Sequence, residues 1–206
     1  MKYNREQIQK TLEDKGYKYF KDSKNKGHDV NIIGIRNSDT NGKVTNRFDD
    51  LLTISYKSEE GEWIYKEFKC TTDPGTHWVE NVLNENGVAI LKPGQYRGSH
   101  KIRKHQGKYE ALCQQKKLPV YRDNNLDGVY DLNESTLERE LIGINIHRAT
   151  KWEGKTSTQI DKWSAGCQVI ASNDDFHEFM EICYSAKDIW GNSFTYTLIE
   201  SNDIKS

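Results

Sequence analysis

Proline is scarce in this 206-residue chain, with three in all, and glycine numbers only fifteen. That excludes collagen-like and low-complexity classes. No apolar run approaches the roughly 18 residues that a bilayer crossing needs, so no membrane span is expected. The opening stretch MKYNREQIQKTLEDKGYKYF lacks the apolar segment of a secretory signal. Synthesis in the cytoplasm without a signal peptide is therefore the expectation. The four cysteines, Cys70, Cys113, Cys167 and Cys183, show no Cys-x-x-Cys spacing, which sets a zinc knuckle aside. Without a leader, free thiols are their expected state. An excess of one charge sign is missing as well: 30 Lys and Arg stand against 31 Asp and Glu, a net charge of −1. A duplex-binding protein needs a basic excess, so nucleic acid is excluded as the main partner.

Aromatic residues are plentiful. Eleven Tyr, six Phe and five Trp are too many for a disordered chain, and the length suits one domain with a full core. The charge is unevenly placed. Residues 97–117 carry seven Lys and Arg against Glu110 alone, while residues 172–206 are acidic. The plain reading is two complementary surfaces; the functional one is a basic groove for an anionic ligand.

Most of the segments read as strands. Asn4 with Gln7 marks the start of a short N-terminal helix carrying Ile8 and Leu12 on one face and ending near Gly16. HDVNIIGIR (28–36) reads as a strand, and LLTISYK (51–57) with EWIYKEF (62–68) as a hairpin. TTDPGT (71–76) is a turn. GVAIL (87–91), LIGINIH (141–147), CQVIAS (167–172) and SFTYTLI (193–199) read as further strands. Segment 98–118 fits neither template cleanly. Ser172 with Asp175 caps a helix whose apolar face is Phe176, Phe179, Met180 and Cys183. The expected fold is mainly β, with a late α-helix and a short N-terminal one. A basic helix and lead-in (1–27) precede a single β-rich catalytic domain (28–206).

Two residues at strand ends suggest chemistry. His147 closes one predicted strand, and Cys167 opens another directly after Ser164-Ala165-Gly166. A thiol is a weak nucleophile until deprotonated, and an imidazole is its natural activator. Gly166 permits close backbone approach to a ligand, and the amides of residues 165–167 suit a developing oxyanion. The plain alternative is a small core cysteine and a satisfied strand-end histidine.

INIHRAT (144–150), followed after an intervening stretch by SAGCQV (164–169), resembles the His…Ser-x-Gly-Cys signature of the L,D-transpeptidase catalytic domain, and KPGQY (92–96) is loosely similar to that family's upstream Pro-Gly loop. The wider layout (NIIGIR, TTDPGT, AILKPGQY, INIHRAT, WSAGCQV) resembles a divergent phage and bacterial branch. The resemblance implies a β-rich sandwich or barrel that performs cysteine-dependent acyl transfer on peptidoglycan stem peptides, either as a transferase or, with water as acceptor, as a carboxypeptidase or endopeptidase hydrolase. Carried over, Cys167 is the nucleophile and His147 the base, while Ser164 and Gly166 shape the nucleophile loop. Ala165 stands where many members have His, and Val169 where many have Arg or Asn. Arg148, with Tyr96 and Gln168, is then expected to bind substrate. No cofactor is expected for catalysis, and the cell wall, reached by phage or lysis machinery, is the expected place of action.

Asp123-Asn124-Asn125-Leu126-Asp127-Gly128, with Glu134 beyond, fits the calcium-loop pattern. Its oxygen ligands would be Asp123, Asn125, Asp127, the Val129 carbonyl, Asp131 through water, and Glu134. The plain reading is an Asx-rich turn. A calcium-stabilised virion or cell-surface binding module with a vestigial catalytic pair is the alternative function. His100 and His105 are expected on the surface, with groove lining or a metal site with Cys113 as their functional readings. Tyr109 is read as core or as a stacking surface for sugar or peptide, and Trp163 as a packing anchor.

Overall fold

The structure, a computed structural model, describes residues 2–205. In chain order its elements are α1 (Arg5–Asp14), β1 (Asn31–Arg36), β2 (Asp50–Lys57), β3 (Trp63–Thr71), α2 (Thr76–Glu80), β4 (Val88–Leu91), β5 (Gly94–His105) and β6 (Tyr109–Gln114). There follow β7 (Leu118–Asp123), β8 (Glu138–Glu140), β9 (Ile146–Arg148), β10 (Gln168–Ile170), α3 (Asn173–Trp190) and β11 (Phe194–Glu200). The expectation of a mainly β fold with a late helix holds. Eight strands close a barrel in the order β1-β11-β5-β6-β9-β10-β3-β2, and β4-β7-β8 form a separate small sheet. Among the described strands, only β1 with β11 and β9 with β10 pair in parallel. Among the described residues no helix is long and apolar enough to cross a membrane.

Strand alternation builds two apolar layers. Ile32, Leu52 and Ile54 join the α3 residues Phe176, Phe179, Met180 and Cys183 in the main core. Ile33, Ile35, Leu51 and Ile199 face the other way and receive Ile8 and Leu12 of α1. Period-two alternation explains why NIIGIR is buried throughout: each face has its own cover. Both helices start where their caps predict. Asn4 and Gln7 exchange backbone–side-chain bonds as a capping box, and Ser172 Oγ accepts from Asp175 N. α1 is not the basic helix expected: Arg5 and Lys10 stand against Glu6, Glu13 and Asp14, and the basic excess of residues 2–27 lies outside it.

Two expectations shift here. The apolar run 141–147 forms a strand only from Ile146, because Gly143 adopts a positive φ of 85° and the preceding residues run as irregular chain. The ambiguous stretch 98–118 is a long hairpin of β5 and β6, turned at Gln106-Gly107, both with positive φ. That pair of left-handed residues matches the twist of the flanking strands.

A buried polar knot ties β1 to the Asp-Pro-Gly turn. The Arg36 guanidinium lies 2.8 Å from Asp73. Thr72 donates to Asp50 from both N–H and hydroxyl, at 2.6 and 2.9 Å. Burial, and then repulsion from Asp73, pushes the Asp50 carboxyl up to about 7. The same turn reaches the site, because Gly75 N–H donates to the Ser164 carbonyl at 2.9 Å.

Candidate active site around Cys167 and His147

His147 lies on β9, and Cys167 immediately precedes β10, the parallel neighbour of β9. His147 on β9 pairs in register with Val169 on β10, and Gln168 N–H donates to the Asn145 carbonyl at 2.9 Å. Cys167 lies two positions before Val169, at the entry to β10. The Cys167 thiol donates to the Gly143 carbonyl at 3.1 Å. It is half-buried, whereas Cys70, Cys113 and Cys183 are buried.

The loop of residues 164–167 is tightly braced. Ser164 is fully buried; its hydroxyl donates to the Cys167 carbonyl at 2.8 Å and accepts from Gly166 N–H at 3.1 Å. Gly166 has φ 126°, and a Cβ there would collide with the Ala89 carbonyl of β4. Its expected close approach is thus to a neighbouring strand rather than to a ligand. Because Ser164 occupies the Gly166 amide, the Ala165 and Cys167 amides remain for an oxyanion; among the described residues neither has a partner.

His147 is 4% exposed. Its Nδ1 lies 2.9 Å from the Arg148 carbonyl. A carbonyl only accepts, so Nδ1 carries the proton and Nε2 is left with the lone pair. Burial, then the neighbouring His105, push His147 down to about 3. Burial likewise pushes the Cys167 thiol up to about 11, with the Asn145 backbone N–H partly offsetting it. Both shifts act against a preformed thiolate–imidazolium pair. The resting site therefore holds a neutral thiol and a neutral imidazole.

His105, expected on the surface, is buried and stacked on His147, with centroids 4.3 Å apart. Its Nδ1 accepts from the Asn145 side chain at 3.0 Å. His100 is buried too: Nε2 donates to the Ile144 carbonyl at 2.9 Å and Nδ1 meets Ser99 Oγ at 2.8 Å. Burial lowers it to about 4, and it braces the chain leading into β9. Among the described residues no cluster of His, Cys, Asp and Glu is arranged to hold a metal.

The expected substrate-binding residues are placed differently. The Gln168 side chain lies inside the fold, accepting from the Tyr196 hydroxyl at 2.7 Å and donating to the Gly166 carbonyl at 3.3 Å. Tyr196 fits only because Gly34 has no side chain; a Cβ there would overlap the Tyr196 hydroxyl. Tyr96 packs against the core and gives its hydroxyl to the Lys92 carbonyl, so it is not part of the groove wall. Arg148 donates to Asn173 Oδ1 at 2.9 Å, and its guanidinium covers the Tyr109 ring at 4.3 Å. It is held in the groove floor.

A groove of about 520 Å³ opens beside His147, walled by Tyr109, Trp152, Trp163 and several lysines. A smaller hollow, about 250 Å³, lies by Ala165 and Ile142. Trp163 is 45% exposed, a groove wall and not the packing anchor the sequence suggested. The basic stretch 97–117 contributes His105, Gln106, Lys108 and Tyr109 to this groove, in line with its groove reading, whereas the part lined by residues 147–152 and by Lys162 and Trp163 was not read from sequence.

The 123–134 loop is an Asx-turn network. Asp123 accepts from the Asn125 and Asp131 backbone N–H groups, both at 3.4 Å. Asp127 accepts from Val129 N–H at 2.8 Å, and the Asn125 amide donates to Asp127 at 3.2 Å and to Asp131 at 2.8 Å. Two carboxylates thus accept from the Asn125 side chain, and Asp123 accepts from its backbone N–H. Glu134 does not join them: it pairs with Lys92 at 2.6 Å and accepts from the Tyr121 hydroxyl at 2.8 Å. In this arrangement the calcium donor set lacks its bidentate member.

Comparison of the chain with protein-family models, with curated proteins and with solved structures found no match.

Proposed function

We propose that this protein is a cysteine-dependent acyl-transfer enzyme acting on peptidoglycan stem peptides, as the resemblance of INIHRAT and SAGCQV to the L,D-transpeptidase signature implies. The observation that supports the reading is the parallel pairing of β9 with β10, which brings the strand of His147 beside the segment that Cys167 opens. The fixed Nδ1 proton leaves Nε2 as the base.

Because the resting pair is neutral, the thiol proton passes to His147 Nε2 as sulfur attacks, rather than beforehand. The Cys167 Sγ–carbon bond forms, and the Ala165 and Cys167 amides hold the oxyanion. The carbon–nitrogen bond then breaks, and the imidazolium returns its proton to the leaving amine. An incoming amine or water attacks the thioester, gives its proton to His147, and frees the thiol. Trp163 lines one hollow and Ala165 the other, which offers two places near the Cys167 segment where donor and acceptor could sit.

The test is incubation with purified muropeptides and product analysis by mass spectrometry. The reading requires new products from the wild type that are absent with Cys167→Ala. Unchanged muropeptides in both would refute it and favour the binding module with a vestigial pair.

A further inference from the structure

The two stacked imidazoles beside the groove carry their protons on opposite nitrogens. Asn145 fixes the first of them. Its side-chain Oδ1 accepts from Gln114 N–H at 2.8 Å, so its Nδ2 is the group that meets His105 Nδ1 at 3.0 Å. An amide nitrogen only donates, so His105 Nδ1 keeps its lone pair and Nε2 carries the proton. His147 is the reverse, with its Nδ1 proton given to the Arg148 carbonyl and the lone pair on Nε2. Burial, then Lys108, lowers His105, which keeps it neutral beside a neutral His147. Among the described residues neither Nε2 has a protein partner, and neither is sealed from solvent. Both rings line the groove.

A donor and an acceptor thus stand face to face, with centroids 4.3 Å apart. Asn145 ties the donor to the thiol as well, because its backbone N–H acts on the Cys167 sulfur and its carbonyl accepts from Gln168 N–H at 2.9 Å. The base chemistry uses His147 and leaves His105 without a role. A neutral imidazole gives up its last proton with difficulty, yet its N–H is a good hydrogen-bond donor to an oxygen that is gaining charge. Resting on the acyl-transfer reading, we propose that His105 is a further catalytic residue, whose Nε2–H donates to the acyl oxygen alongside the Ala165 and Cys167 amides. As Cys167 Sγ bonds to the carbonyl carbon, the thiol proton passes to His147 Nε2 and the π electrons move onto the oxygen. His105 keeps its proton throughout. Asn145 is the positioning residue that fixes its tautomer.

The test uses the full chain and p-nitrophenyl acetate, an acyl donor that reports the step without peptidoglycan. The wild type is expected to release nitrophenol and gain an acetyl group on Cys167, read by intact mass and peptide mapping. His105→Phe keeps a flat ring against His147 but has no N–H. It is expected to acylate about 100-fold more slowly, the scale of one lost oxyanion donor. His105→Gln, whose amide still donates, recovers most of that rate. Iodoacetamide labelling builds no oxyanion, so Cys167 in His105→Phe should label at least as fast as in the wild type. Asn145→Asp accepts where Asn145 donates, so it should move the His105 proton to Nδ1, seen by nitrogen NMR, and slow acylation too. Equal acylation by the wild type and His105→Phe overturns the proposal, as does labelling that slows in step with acylation, or a wild type that gains no acetyl group. The expected acetylation pattern in a protein that leaves muropeptides unchanged would instead sink the peptidoglycan reading alone.

Discussion

His105 lies face to face with His147, the ring planes 22° apart and the centroids 4.3 Å apart. The pairing follows from the β5–β6 hairpin, whose Gln106-Gly107 turn holds His105 over β9. Two imidazoles so close cannot both be protonated cheaply, so each disfavours the charge of the other. His105→Gln is expected to raise the titration midpoint of His147, leaving burial as the main depressing influence. Histidine-detected NMR titration checks this; an unmoved His147 would show that the stack is packing alone.

Cys167 is expected to be the first thiol to alkylate, since Cys70, Cys113 and Cys183 are buried. With its ionisation pushed up to about 11, its rate should climb steadily from neutral pH to pH 10, and His147→Ala should slow it. Peptide mapping after iodoacetamide labelling measures each site. Equal rates at all four thiols, or a plateau below neutral pH, would contradict the neutral-pair description.

Acid should destabilise the fold through its buried imidazoles. Burial lowers His100 to about 4 and His147 to about 3, both below the unfolded value near 6.5. Their contribution is present above about pH 6.5 and is lost as pH falls toward the folded values, because the unfolded chain binds protons the folded one refuses. The loss is about 2 kcal/mol per histidine near pH 5. Asp50, raised to about 7, works in the opposite sense. His100→Asn keeps a donor for the Ile144 carbonyl and removes one titration. Urea midpoints for this variant should fall less between pH 7 and pH 5 than for the wild type; parallel slopes would place the acid sensitivity elsewhere.

A calcium ion in the 123–134 loop would need the Asn125 amide to turn its oxygen inward and Glu134 to leave Lys92. If the loop takes up the ion, melting in millimolar calcium should exceed melting in chelator by a few degrees, and Asp127→Asn should erase the difference. Identical melts in both would assign the loop as a plain Asx turn.

The elements visible in the sequence were those whose signals are local. Asn4 and Ser172 are short-range caps, and the β2–β3 hairpin shows its own alternation. The strand pairing of His147 with Val169 depends on a parallel crossover, which no local pattern encodes. Gln168 was read as facing substrate because it follows the nucleophile. Its burial depends on Tyr196, 28 residues away, and on the space that Gly34 leaves. Likewise, Trp152 and Trp163 look like core residues by type, and only the tertiary course of residues 149–163 leaves them in a wall.

The thioester itself is the most direct evidence to seek. Wild-type protein mixed with a tetrapeptide muropeptide, acid-quenched and weighed intact, should gain the mass of the acyl fragment. Peptide mapping should place that mass on Cys167, and Cys167→Ser should abolish it together with all product. Muropeptide turnover that persists in Cys167→Ala, or a wild type that gains no mass and forms no product, would contradict the account.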